Sequence, residues 1–60
     1  MFTFIYEDGF IKKLCGGVYD WLFRSDAATL LQYDTLLNET ERENLRQIIA
    51  QYDAAEKEMA

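Results

Sequence analysis

Sixty residues with a net charge of −5, one cysteine and no histidine set the bounds for this chain. A domain of that length, here residues 1–60 as a single unit, buries only about 60% of the surface its unfolded form exposes. Its nine aromatic side chains exclude a disordered acidic tail and exceed what so small a core readily hides.

The lone Cys15 excludes an intramolecular disulfide framework and points to a reducing, cytoplasmic setting. No run of about 18 to 20 apolar residues is present to span a membrane. The amino terminus also lacks the basic region, apolar core and cleavage site of a secretory signal. Charge is unevenly spread: Met1 to Arg24 carries three acids and three bases, whereas Ser25 to Ala60 carries eight acids against three bases. The carboxyl-terminal part therefore repels phosphate and anionic lipid and attracts basic protein, so neither nucleic acid nor membrane is expected as a direct partner.

Met1 to Tyr6 is rich in aromatic and β-branched residues and is followed by Glu7-Asp8-Gly9, which has turn chemistry, so a short strand or extended arm is expected. Next, Ile11, Leu14, Cys15, Val18 and Leu22 follow helical spacing, and Asp8 is placed to cap them; this predicts a helix around Phe10 to Phe23. A hairpin with Phe10 to Leu14 as return strand is the alternative. Gly16-Gly17 opposes the helix, since each glycine costs roughly 1 kcal/mol relative to alanine in a helix interior, and the pair implies a kink or a close helix crossing. Trp21-Leu22-Phe23 forms a dense apolar patch that a helix would spread over more than one face.

Ser25-Asp26 is an N-cap pair before a second helix running to Leu37, with Ala27, Leu30, Leu31 and Leu37, together with Tyr33 or Leu36, on its core side and Gln32 and Asp34 outside. Two overlapping cap patterns follow, Asn38-x-x-Glu41 and Thr40-x-x-Glu43. The second fits the capping box and opens a third helix over Glu39 to Glu58. The apolar seam of that helix runs Leu45, Ile48, Ile49, Tyr52, Ala55 and Met59 on one face.

The chemistry-bearing residues argue against catalysis. Absence of histidine removes the usual general base and the commonest metal ligand. Cys15, on the apolar side of the expected first helix, reads as a small core residue rather than a nucleophile. Carboxylate pairs such as Glu39 with Glu43, or Asp53 with Glu56, lack any metal-loop or Glu-x-x-His context and read as a solvated face. No phosphate-binding glycine loop is present, and no enzyme activity, cofactor or metal site is expected.

The sequence thus predicts a mainly α fold: an amino-terminal arm or strand, a helix, and an antiparallel helical hairpin, completed by dimerisation with a second copy. Phe2, Phe4, Trp21, Phe23, Ile48 and Tyr52 are the interface candidates. In size and acidic character the chain resembles accessory proteins of bacteriophages and mobile elements, which implies a non-catalytic regulator or inhibitor acting by binding another protein. The alternative is a helical regulator of transcription whose acidic surface mimics DNA and competes for a basic DNA-binding protein.

Overall fold

The computed structural model describes residues 2–33 and 37–59 and contains three strands followed by two helices: β1 (Thr3–Glu7), β2 (Phe10–Cys15), β3 (Val18–Leu22), α1 (Arg24–Gln32) and α2 (Glu39–Met59). The strands form an antiparallel sheet in the order β1-β2-β3. The fold is α+β, which corrects the mainly α expectation and its helical hairpin; a sheet, not an arm and a helix, carries the two helices.

The physical reason lies in two dipeptides. Asp8 and Gly9 both have positive φ (54° and 83°), as do Gly16 and Gly17 (60° and 86°), the backbone signature of the two-residue type I′ turn whose twist matches that of flanking strands. Asp-Gly closes the β1–β2 hairpin at Glu7 and Phe10. Gly-Gly closes the β2–β3 hairpin at Cys15 and Val18. Glycines that would burden a helix are favourable here, and the six residues between the turns form the central strand. The hairpin weighed as the alternative for Phe10 to Leu14 is therefore the one formed, and β3 extends it.

Register then sorts the side chains onto two faces, because partners across a ladder share a face and neighbours along a strand alternate. Phe4, Tyr6, Ile11 and Leu22 lie on the inner face. There Phe4 and Ile11 join Ala27, Leu37, Leu45, Ile48 and Ile49 in the buried core, with Phe2, Tyr6, Leu22, Leu30, Leu31 and Tyr52 packed around it. Tyr6 and Tyr52 meet edge to face, with ring centroids 6.1 Å apart. The α2 seam is thus buried against the sheet at Leu45, Ile48 and Ile49, and half-buried at Tyr52 and Ala55; the Met59 side chain lies outside the described residues.

The helix ends differ from expectation. β3 runs into α1 with only Phe23 between them. Phe23 is the extended N-cap residue and makes no side-chain cap bond, while its carbonyl accepts from the Ala27 N–H at 3.0 Å. Ser25 and Asp26 therefore lie inside the first turn and do not cap it. α1 ends at Gln32, short of Leu37; Asp34 and Leu36 lie outside the described residues. At α2 the box is built from Asn38 and Glu41 rather than Thr40 and Glu43. The Glu41 N–H donates to Asn38 Oδ1 at 2.8 Å, and the Asn38 N–H donates to Glu41 Oε1 at 2.9 Å. Thr40, two residues into the helix, is exposed.

Candidate functional site

The outer face of the sheet carries rows set by register: Thr3, Leu14 and Tyr19; Ile5, Lys12 and Trp21; Glu7 and Phe10. Both helices pack elsewhere, so this face stands open. Trp21 is 73% exposed, Tyr19 57% and Phe10 48%. Phe10 and Trp21 are diagonal cross-strand neighbours and stack nearly parallel, ring centroids 5.1 Å apart. Such a pair contributes about 0.5–1.5 kcal/mol beyond the area it buries and holds the indole flat. A second diagonal pair joins Lys12 Nζ to Glu7 Oε1 at 2.9 Å, and this bond raises the Lys12 pKa. The ammonium beside the aromatic stack thus stays charged and is balanced by Glu7, so the face sets exposed aromatic rings beside one ion pair.

At the end of the sheet nearest α1, Phe10, Trp21, Leu22, Phe23, Arg24 and Tyr52 wall a hollow of about 270 Å³. Phe23, 79% exposed, stands at its rim. The Arg24 guanidinium is held by a two-pronged bond to Asp53, at 3.2 and 3.1 Å, which keeps the Asp53 carboxyl below its ordinary pKa. The Tyr52 hydroxyl donates to Glu56 at 3.4 Å, and the proximity of that carboxylate raises the Tyr52 pKa. Arg24 thus ties the start of α1 to the far part of α2 and fixes one wall of the hollow.

Of the six residues singled out by sequence, Trp21 and Phe23 lie on the open surface, Phe2 and Tyr52 are half-buried, and Phe4 and Ile48 are inside the core. Trp21, Phe23 and Tyr52 come together around the hollow. Phe2 sits apart, under Lys13 Nζ at 5.1 Å from the ring centroid. Sequence reasoning passed over Phe10 and Tyr19, the rest of the exposed aromatic set. The signal for them was the spacing of the two turn dipeptides, which puts Phe10, Lys12, Tyr19 and Trp21 on one face once the strands are recognised. Cys15, expected in a core, is exposed, at the end of β2 beside the glycine turn.

Several carboxylates of α2 have partners. Glu43 pairs with Arg46 at 3.0 Å, Asp53 with Arg24, and Glu41 with backbone. Among the described residues no group of three or more Cys, Asp and Glu side chains is arranged to hold a metal ion, and no helix is long and apolar enough to cross a membrane. The chain matches no protein-family model, no curated protein and no solved structure. A small α+β unit with one covered and one open, aromatic sheet face is therefore the class that its own geometry defines.

Proposed function

We propose that the protein is a non-catalytic interaction module, a small regulator or inhibitor that acts by docking the open sheet face onto an apolar patch of another protein. The observation that carries this reading is the Phe10–Trp21 stack standing on an uncovered face beside Tyr19. Exposed, contiguous, rigid aromatic side chains are the usual energetic centres of protein interfaces, where tryptophan and tyrosine are enriched. The Lys12–Glu7 ion pair lies within the face and would form part of a polar surround.

The test is affinity capture from the native host's lysate with the wild-type chain and Trp21→Ser side by side. A stoichiometric protein retained by the first and lost by the second, with the circular dichroism of the two alike, is the expected result. Equal retention by both would place the binding elsewhere.

A second reading is favoured by the segregation of charge. Glu39, Glu43, Asp53, Glu56 and Glu58 are all exposed along α2, so an acidic helix competing with DNA for a basic protein is the alternative. Steep loss of capture with added salt, indifferent to Trp21→Ser, would mark that mode.

A further inference from the structure

We propose that the free edge of β3 pairs with β3 of a second copy, antiparallel and centred on Trp21, to make a continuous six-stranded sheet. This goes beyond partner binding: it concerns the purified chain alone and uses backbone, not the aromatic side chains that carry the preceding proposal.

The two edges of the sheet are treated differently. Hydrogen-bonded and non-bonded pairs alternate along an antiparallel ladder, and the pair closing a two-residue hairpin is a bonded one. Glu7–Phe10 closing the first hairpin therefore turns the Phe4 and Tyr6 backbones outward from β1. At Phe4 both groups are met: the Phe4 N–H donates to Asn44 Oδ1 at 2.7 Å, and Asn44 Nδ2 donates to the Phe4 carbonyl at 3.1 Å. Two residues earlier, the Phe2 N–H donates to Glu41 Oε2 at 2.6 Å. By the same count Cys15–Val18 closing the second hairpin turns the Tyr19 and Trp21 backbones outward from β3. Among the described residues nothing bonds to those groups. β3 also lacks several of the devices that blunt exposed edges: Val18–Leu22 contains no proline and no lysine, its one charge being Asp20, and its pairing with β2 is continuous, without a bulge.

Charge and register select a second copy as the occupant. The sheet half of the chain, Met1 to Arg24, is neutral, whereas the excess acid lies in Ser25 to Ala60. Two β3 edges thus meet without the repulsion that two α2 surfaces would suffer, and a basic peptide gains nothing there that α2 does not offer more strongly. A two-fold axis through the sheet gives few registers in which the outward residues pair with one another. Centring on Asp20 opposes two carboxylates at the close, non-bonded position. Centring on Tyr19 sets Trp21 against Gly17 of the turn. Centring on Trp21 opposes Trp21 to its copy, Tyr19 to Phe23 and Asp20 to Leu22. That register has no like-charge pair and joins the two aromatic outer faces on one side.

The experiment is amide hydrogen exchange by NMR on the purified wild-type chain over a dilution series, with sedimentation equilibrium on the same samples. The expected result is a two-chain mass at high concentration, with Tyr19 and Trp21 amides slowed at least tenfold there and released on dilution, while Asp20 and Leu22 stay protected throughout. Tyr19→Pro removes an outward N–H and no ladder bond, so it should sediment as one chain with unaltered dichroism. A single-chain mass at every concentration overturns the proposal. So do Tyr19 and Trp21 amides that exchange fast in a two-chain species, since they would put the contact on another surface; this second readout needs no variant to fold. Loss of lysate capture without loss of the dimer, or the reverse, separates failure of one proposal from failure of the other.

Discussion

The β1 and β3 edges are chemically the same object, a row of outward N–H and C=O groups, yet one is covered by side chains at Phe2 and Phe4 and the other is bare. The seal on β1 is made by two side chains of a helix, Asn44 imitating a neighbouring strand at Phe4 and Glu41 receiving Phe2. Glu41 does this while also closing the α2 capping box through Asn38. One buried carboxylate thereby couples the start of the helix to the start of the chain, and the two backbone donors lower its pKa, Asn38 first and Phe2 second. The contrast teaches that a small chain can stabilise one edge of a sheet with a long helix and leave the other edge open.

The widest separation between the two sides should come from the core beneath the sealed edge. Leu45, fully buried, when changed to Ala should lose about 2–5 kcal/mol, read as a fall in the urea midpoint or the absence of a cooperative transition. An unchanged midpoint would mean that α2 does not pack on β1. Asn44→Ala should cost about 1–3 kcal/mol, because the Phe4 N–H and C=O would lose their partners in a half-buried setting; the same denaturation measurement checks it. It should also convert β1 into a second bare edge, with faster exchange of the Phe4 amide.

Asn38→Ala should cost about 1 kcal/mol as a lost cap, whereas Thr40→Ala at an exposed position should move the midpoint by no more than a few tenths of that. The reverse order would restore the cap pattern that begins at Thr40. The gentlest probe is acid. Glu41 has its folded pKa lowered from an ordinary 4.5, so its contribution is complete above that value and is lost as pH falls through the lower folded value. Asp53 acts in the same sense through Arg24, but it is exposed and solvent screens it. Thermal scans from pH 6 down to about pH 2 should show wild type losing stability below about pH 4.5, with a shallower loss in Glu41→Gln.

Much of α2 was legible from residue types alone, because capping chemistry and a 3.6-residue seam are local signals that need no partner to be recognised. The cap itself was misassigned by two residues since Asn38-x-x-Glu41 and Thr40-x-x-Glu43 satisfy the same pattern; the structure uses the first, whose Glu41 also accepts from the Phe2 N–H. β1 had a local signal in the aromatic and β-branched run of Met1 to Tyr6, but β2 and β3 were illegible for a different reason. Ile11, Leu14, Cys15, Val18 and Leu22 fit helical spacing by coincidence, while the period-two pattern of each short strand is blurred by apolar residues on both faces. Only the type I′ turns resolve that ambiguity, and a turn is energetically meaningful only when the strands on either side find each other.

The sequence by itself determined an acidic chain whose long helix has an apolar seam and whose net negative charge lies in the carboxyl-terminal part. Tertiary structure alone decided that Phe4 and Ile48 would lie inside while Phe10, Tyr19 and Trp21 stayed outside. A side chain's face depends on strand register, which the turns fix once the strands of each hairpin pair, and on where one helix comes to rest, which is settled by contacts between residues some 40 positions apart, such as Phe4 with Asn44. No local pattern encodes a pairing of that range.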